Sequence, residues 1–391
     1  MKTIYSILLF FIMSVFLVAS CSEDAGFSVS PLLRLEFSRD TIAFDTVFTA
    51  VGSPTSGLVV RNRNKDGLRI SNVRLASGGE SGFSVLVDGQ YGPSMNGLEV
   101  RGKDSIYVFA SVELERNGAD VPIVVEDSLI FTLESGVQQH VSLLAYGRDV
   151  TFMRGEVVAV DRAISGGHHV VYDSLVVEQD VTLTLGAGTT LYFHDKAYMK
   201  VGGTLVVEGT QERPVVMRGD RTDNMFSYLP YDRVPGQWGG VTYTSTSNGN
   251  ILSHCDIHSA KYGVKVEPGD TTVMRIAIES SKLYNFEGNA LELNMSRAIV
   301  DNSLINTKPT EDSCFVNISY DNTPYGKEHF RTIDHDNFYY DFHLSSDTMA
   351  YSRGSDEYLE SLPYDLDGVL RQAGAVDAGC YQFVELPEEE E

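Results

Sequence analysis

Two glycine-punctuated stretches decide the fold: residues 183–191 read LTLGAGTTL, and residues 199–210 read MKVGGTLVVEGT. In each stretch, a short aliphatic run leads into a glycine turn and a second such run follows, which is typical of a strand, a turn and a strand. The chain from about residue 150 onward is rich in glycine, valine, isoleucine and leucine and shows no helical period. We therefore predict that this region is built from β-strands.

A coarser repeat follows and indicates a solenoid. Four phrases place a small or polar residue two positions before a large apolar one: residues 255–257 (CDI), 281–283 (SKL), 302–304 (NSL) and 336–338 (DNF). Their apolar positions lie 26, 21 and 34 residues apart. Repeats of roughly 20–30 residues made of short strands are typical of solenoids. We expect the inward residues to stack in apolar and Asn/Ser ladders, with loops of different length between the strands.

The preceding region, residues 32–149, has the pattern of a second all-β domain. Apolar and polar residues alternate in residues 33–38 (LRLEFS), 68–71 (LRIS), 98–101 (LEVR) and 112–115 (VELE), with turn clusters at 62–67 and 77–82 between them. Short alternating strands at this spacing predict an immunoglobulin-like β-sandwich. No cysteine pair is available to cross-link it, so its stability must come from apolar packing.

Three phrases carry a family resemblance. Residues 150–345 resemble the right-handed parallel β-helix family, with its pectin-lyase-like fold. Residues 235–241 (PGQWGGV) are similar to that family's Gly-x-Trp-Gly-Gly-Ile phrase, and residues 377–381 (DAGCY) are similar to its closing Asp-Ile-Gly-Ala-Tyr-Glu phrase, from which Cys380 and Gln382 depart. Residues 40–49 (DTIAFDTVFT) resemble Bacteroidetes lipoproteins that join such a sandwich to a β-helix. The resemblance implies an architecture and little about activity.

The first residues have the form of a bacterial lipoprotein signal. Lys2 precedes an apolar run at residues 4–19, and residues 17–21 (LVASC) end it with small residues before Cys21. The run is too short to span a bilayer, which takes about 20 apolar residues. Ordinary secretory cleavage is the alternative. The resemblance implies that the Cys21 thiol takes a diacylglycerol and that cleavage follows Ser20.

Residues 22–24 (SED) resemble the acidic export signal of Bacteroidetes lipoproteins. The resemblance implies a lipid-anchored protein of the outer membrane, displayed at the cell surface. A plain linker and an anchor facing the periplasm are the alternatives. The predicted organisation is a signal peptide at 1–20, a linker at 21–31, the sandwich at 32–149, the β-helix with its closing segment at 150–383 and an acidic tail at 384–391.

Charge and cysteine content exclude several classes of partner and site. The formal net charge is −24, which repels phosphate backbones and anionic headgroups, so no nucleic acid partner is expected and the lipid alone must hold the membrane. Apart from Cys21, the chain has Cys255, Cys314 and Cys380, without Cys-x-x-Cys spacing. We predict that these three are buried free thiols.

Candidate catalytic residues are few. Asp256, Glu279, Lys282 and Asp301 occupy near-equivalent repeat positions and could line one face, although solvated outward charge is the plainer reading. On a strand His254 and His258 would lie roughly 13 Å apart, too far to share a metal. The cluster at 334–336 (DHD), with His329 and His343, is interpreted as structural, and Asp336 is expected to point inward. No nucleophile, zinc, phosphate-loop or dinucleotide motif occurs.

An exposed aromatic loop gives the only candidate binding residues. Residues 219–235 interrupt the repeat and carry Phe226, Tyr228 and Tyr231 among charged residues. Exposed aromatic rings beside charge suit sugars or a protein partner, although a loop folded back over the core is the alternative. Trp238 is expected to be a packing residue of its Trp-Gly-Gly turn.

The sequence therefore favours a non-catalytic surface scaffold that binds a glycan or a partner protein. The alternative is a polysaccharide lyase or glycosidase that acts through carboxylates of the β-helix. We predict no catalytic residue, no resident cofactor and no metal ligand. Calcium enters only as a bridge between acidic groups and a uronate ligand, or as a requirement of a lyase.

Overall fold

The computed structural model describes residues 26–118, 122–226, 228–307, 314–316, 320–334 and 336–386. It is all-β, as predicted, and the helical segments described are three single 3-10 turns at Tyr231–Arg233, Lys327–His329 and Asp356–Tyr358. The chain divides into two compact units. Within the described residues, the first unit comprises 26–115 and 123–147, and the second comprises 116–118, 122 and the residues from 148 onward.

The first unit contains two five-stranded sheets, in the orders β1-β3-β8-β5-β6 and β2-β10-β9-β4-β7. The pairs of the first sheet and the pairs β10-β9, β9-β4 and β4-β7 of the second are antiparallel. Alternate residues are buried along most strands, and one hydrophobic core takes side chains from both sheets. The strands are β1 (Glu36–Phe37), β2 (Thr41–Phe48), β3 (Ser56–Arg61), β4 (Leu68–Leu75), β5 (Phe83–Val87), β6 (Gln90–Tyr91), β7 (Ser94–Val100), β8 (Ser105–Val112), β9 (Ile123–Leu133) and β10 (Gln138–Arg148).

The second unit contains short strands that pair mostly in parallel. They are β11 (Thr151–Val158), β12 (Arg162–Ser165), β13 (His168–Val177), β14 (Thr182–Gly186), β15 (Thr190–Phe193), β16 (Tyr198–Val201), β17 (Thr204–Glu208), β18 (Val215–Gly219), β19 (Asn224–Phe226), β20 (Leu229–Pro230), β21 (Val241–Tyr243), β22 (Asn250–Ser253), β23 (Cys255–His258), β24 (Val264–Val266), β25 (Met274–Glu279), β26 (Lys282–Tyr284), β27 (Leu291–Leu293), β28 (Arg297–Asp301), β29 (Leu304–Asn306), β30 (Cys314–Val316), β31 (Pro324–Tyr325), β32 (Phe330–Asp334) and β33 (Tyr339–Leu344).

A three-strand unit recurs along this part of the chain. The strand triplets β21-β22-β23, β24-β25-β26 and β27-β28-β29 follow one another, and each strand pairs in parallel with its counterpart in the next triplet. Inward side chains form a continuous apolar core. A serine ladder is present, but the third predicted repeat is out of register by one residue. The Cys255 amide donates to Ser281 Oγ (3.0 Å) and the Ser281 amide donates to Ser303 Oγ (3.1 Å), so Ser303 and not Asn302 continues the ladder.

Trp238 is a packing residue, as predicted. It is 1% exposed and stacks on Phe193 with ring centroids 4.2 Å apart. Its indole N–H donates to the His258 carbonyl (3.0 Å), so its polar atom is satisfied inside the core. Gly240, in the same turn, has φ +91°, and a Cβ there would lie 2.0 Å from the Tyr262 carbonyl oxygen. Only glycine fits that position.

The fourth predicted repeat, at residues 336–338, is wrong. These residues form the turn of an antiparallel hairpin between β32 and β33. The Asp334 carboxylate accepts the amides of Asp336 and Asn337 (3.0 Å each), a local bond that competes with continued parallel pairing. Asp336 is therefore exposed and does not point inward.

The closing segment, which comprises the described residues from 314 to 386, packs over the outer side of the parallel sheet. Its core includes Phe330 and Phe342 together with Leu304 of β29, whose register partner is the outward-facing Lys282. Cys255, Cys314 and Cys380 are all buried and free, as predicted. Burial raises the pKa of the Cys314 and Cys380 thiols, and both therefore behave as small apolar residues.

Candidate functional site

The outer face of the long parallel sheet collects chemically active side chains. Strands β15, β18, β23 and β26 pair in register, and their even-numbered residues face outward while odd-numbered residues such as Met217 and Ile257 enter the core. One outward row therefore carries Tyr192, Arg218, His258 and Tyr284 on successive strands, about 5 Å apart. The neighbouring row places Asp256 opposite Lys282.

His258 is held between two carboxylates. Its Nδ1 lies 2.7 Å from Asp256 Oδ1 and its Nε2 lies 2.9 Å from Asp232 Oδ1, while its ring stacks on Tyr284. Burial alone would lower the pKa of His258, but Asp256 and then Asp232 outweigh it and raise the pKa to about 9. The imidazole is thus protonated at neutral pH and donates from both nitrogens.

Two further cations complete this group. Lys282 Nζ lies 3.0 Å from Asp256 Oδ2, and Arg218 Nη2 lies 2.8 Å from Asp232 Oδ1. Burial acts to raise the pKa of Asp256, but Lys282 and His258 hold it well below its usual range, and Asp256 in turn raises the pKa of Lys282. We call Arg218, Asp232, Asp256, His258 and Lys282 the charged cluster. At neutral pH both carboxylates are ionised and paired with cations, and both N–H groups of His258 donate to them, so the charged groups of the cluster bind one another.

The aromatic loop is anchored by this cluster. Its strands β19 and β20 form a short antiparallel hairpin, and Asp232 follows the hairpin. Arg218 donates to the Arg221 carbonyl (3.0 Å), and Asn285 donates to the Arg233 carbonyl (2.8 Å). Both ends of the loop are therefore bonded to the outer face of the sheet.

The structure separates the three predicted binding residues into two places. Phe226 and Tyr228 stand at the hairpin tip, 54% and 56% exposed, with nearly parallel rings whose centroids are 5.7 Å apart. Tyr231 lies further along, beneath the Arg221 guanidinium at 3.8 Å. Arg221 also pairs with Asp223 (2.6 Å), so Tyr231 belongs to the loop's own packing. The exposed pair, and not all three rings, forms a surface open to a ligand.

The sequence did not reveal a second aromatic group on the same outer face. Tyr172 packs against His194 with tilted rings (4.7 Å between centroids), and Arg154 lies over the Tyr172 ring at 4.4 Å. His194 Nδ1 contacts Asp220 Oδ2 at 2.6 Å. Arg154 lies on β11 and Tyr172 on β13, whereas His194 and Asp220 directly follow β15 and β18. Register between distant strands was needed to bring them together.

The four charged residues expected on one face lie on two sheets. Asp256 and Lys282 belong to β23 and β26, whereas Glu279 and Asp301 are register partners on β25 and β28. The expectation of solvated outward charge is also wrong for Asp301, which is fully buried. Charge interactions link it to Arg371 and Glu357 of the closing segment.

The histidine candidates have separate environments. His254 Nδ1 contacts Ser253 Oγ at 3.1 Å, while both ring nitrogens of His258 meet carboxylates. His343 lies between Asp341 and Asp367, with Nε2 2.6 Å from Asp367 Oδ2, and packs on Tyr381. His329 is buried and accepts the Met349 amide. His335 lies outside the described residues.

Within the described part of the chain, no group of three His, Cys, Asp or Glu side chains is arranged to hold a metal ion. No helix among the described residues is long and apolar enough to cross a membrane. Cys21 and the rest of the predicted signal lie outside the described residues, so lipidation stays a prediction.

No protein-family model and no curated protein matches this chain. Solved structures that share limited similarity with this chain include the following three. A family 123 glycoside hydrolase from Clostridium perfringens is 10% identical over 29% of this chain and 25% of its own, with a TM-score of 0.21. A Porphyromonas gingivalis protein of unknown function is 15% identical over 32% and 60%, with a TM-score of 0.22. A PapD-like domain of human CEP192 is 12% identical over 31% and 87%, with a TM-score of 0.19. This chain thus spans a quarter of the first structure and three fifths of the second.

Proposed function

We propose that this chain is a lipid-anchored, cell-surface protein that binds a glycan without transforming it. In this proposal the first unit is an immunoglobulin-like β-sandwich, the second is a right-handed parallel β-helix, and Cys21 carries the lipid. Two antiparallel sheets around one core support the sandwich. The recurring triplet of parallel strands supports the β-helix.

The observation that carries the binding role is the exposed pair Phe226 and Tyr228. Their rings are nearly parallel, with 13° between their planes, and they project from a hairpin whose base is tied down by the charged cluster. Flat aromatic faces held in advance suit the apolar faces of sugar rings, because little side-chain freedom is lost on binding. A protein partner would use the same surface and is an outcome of the test below.

The charged cluster supports a non-catalytic role over a lyase or glycosidase. A general acid needs a proton to give, and a base needs a free lone pair near neutral pH. Asp232 and Asp256 are instead ionised and paired with cations. His258 is protonated, but both of its N–H groups donate to these carboxylates and not to an open site. Their arrangement favours stability of the loop over proton transfer.

A glycan array with the purified full chain in detergent tests the proposal, followed by titration of each hit. Replacing both Phe226 and Tyr228 with Ala should weaken glycan affinity about 30-fold, as two aromatic contacts of about 1 kcal/mol each are lost. The matched control is Tyr198→Ala, which removes an exposed ring from strand β16. Glycan turnover, or glycan binding that the double variant leaves unchanged, contradicts the proposal. If the chain binds a surface protein and no glycan, the ligand in the proposal is that protein and not a glycan.

A further inference from the structure

Glu279 and Asp301 begin a second polar group, away from the aromatic loop. They are opposite residues on the parallel strands β25 and β28, so their side chains leave the same face about 5 Å apart. Each is followed by a corner residue in the left-handed region, Ser280 (φ +43°) and Asn302 (φ +44°). The Ser280 amide donates to the Asp301 carbonyl (3.1 Å), so the two corners stack and direct their side chains alike. We call these four residues the corner set.

Three oxygens of the corner set are buried without a hydrogen-bond partner. Asp301 and Ser280 are 0% exposed and Asn302 is 1% exposed. Asp301 Oδ2, Ser280 Oγ and Asn302 Oδ1 each lack a partner, while Asp301 Oδ1 accepts the Asn302 amide (3.1 Å). Buried polar atoms are nearly always satisfied, so three unsatisfied oxygens at adjacent positions indicate a ligand.

The charges around the corner set are unbalanced. Charge interactions link Asp301 to the carboxylates of Glu279 and Glu357 and to the Arg371 guanidinium. Arg371 donates to the carbonyls of Gly379 and Tyr364, at 3.4 Å each. Three carboxylates thus face one cation.

We propose that the corner set binds a hard divalent cation of the calcium type through Asp301 Oδ2, Asn302 Oδ1, Ser280 Oγ and the Glu279 carboxylate. Carboxylate and neutral oxygens are the ligands that calcium takes in proteins, and two carboxylates match its charge. The set contains two carboxylates and two neutral donors, so it differs from the three-residue His, Cys, Asp or Glu pattern. Glu357 and Arg371 come from the closing segment, so the cation would fasten that segment to the parallel strands.

The test is calcium titration of the EDTA-treated full chain in detergent, followed by terbium luminescence and thermal unfolding. Tyr358 interacts with Asp301 and Glu279 and is placed to sensitise bound terbium. We expect saturable binding at millimolar calcium or below and a rise in Tm. Asp301→Asn should weaken binding at least about tenfold, because it removes one of two charged ligands. Ser280→Ala should weaken it less.

The control is Asp195→Asn, which changes an exposed aspartate that also has a positive φ (+47°) and should bind as the wild type does. Absence of saturable binding at millimolar calcium overturns the proposal and leaves a buried water as the occupant. So does binding that both corner variants leave intact, because that locates the cation elsewhere on the acidic surface. If Asp301→Asn fails to fold, Ser280→Ala alone decides. The readouts do not involve a glycan, so this result is separate from that of the glycan array.

Discussion

The charged cluster and the corner set are two groups of buried or partly buried carboxylates on neighbouring sheets of the same unit, and they differ in their partners. In the charged cluster, Asp256 meets a lysine on the next strand and a histidine two residues on. In the corner set, the strand partner of Asp301 is a second carboxylate, Glu279. In both sheets, the residue one repeat away therefore decides whether a carboxylate is paired with a cation.

The covering segments reinforce this difference. The aromatic loop brings Asp232 onto His258, so a segment from outside the repeat completes the ion pairs of the charged cluster. The closing segment brings Arg371 near Asp301, but hydrogen bonds from its guanidinium go to backbone carbonyls. Since an unpaired buried charge is costly, we expect the first group to stabilise the fold and the second to destabilise it unless a cation is bound.

The largest expected effect comes from Lys282→Ala. The substitution leaves Asp256 with one fewer partner in a mostly buried site, and breaking such a pair costs about 3 kcal/mol. Urea unfolding of the full chain measures it. The control Lys265→Ala removes an exposed lysine 3.7 Å from Glu292 and should change the free energy of unfolding by about 0.5 kcal/mol or less.

A double-mutant cycle sharpens this prediction. If Lys282 acts through Asp256, the double variant Lys282→Ala with Asp256→Asn should be more stable than the sum of the two single losses implies. Additive losses would mean that Lys282 stabilises the protein through packing alone. That result would contradict the claim that the charged cluster is stabilised by its ion pairs.

A smaller effect is expected from pH. The pKa of His258 is about 9 in the folded protein, against 6.5 for an unperturbed histidine. A raised folded pKa adds stability that is fully present below pH 6.5 and is lost as pH rises through about 9. The Tm of the wild type should therefore fall across this interval more steeply than that of His258→Gln, measured by thermal melts at matched ionic strength.

Protease sensitivity of the hairpin formed by β19 and β20 tests the same ion pair between His258 and Asp232. Loss of the His258 charge should loosen Asp232, so protease cleavage near Phe226 should become faster above pH 9 in the wild type. If Tm depends on pH in the same way in the wild type and in His258→Gln, the protonated His258 is not paired with Asp232 and Asp256 as the structure shows.

Local pattern was enough to predict much of the architecture. Alternation and glycine turns indicated the all-β class. The spacing of small and apolar residues indicated a ladder, which contains Ser281 and, one residue later than predicted, Ser303. Trp238 could be assigned to the core because its turn contains Gly239 and Gly240. Each of these features depends on residues close in sequence or on one repeated phrase.

The charged cluster could not be predicted because its geometry depends on distant register. Asp232 lies 26 residues before His258. It belongs to a loop without a repeating pattern, so the sequence does not predict where the loop folds. The same limit explains the error at residues 336–338, where the Asp334 side chain bonds its own turn. The separation of Glu279 and Asp301 from Asp256 and Lys282 required knowing that a chain corner lies between Glu279 and Lys282.

The central claim is that the buried carboxylates are paired in the charged cluster and unpaired in the corner set. Urea unfolding of Asp256→Asn and Asp301→Asn in EDTA at pH 7 tests it most directly, because both changes neutralise a carboxylate at nearly constant volume. We predict opposite signs: Asp256→Asn should lower the free energy of unfolding by about 2 kcal/mol, and Asp301→Asn should raise it by about 1 kcal/mol. A loss of stability in both variants would contradict the account.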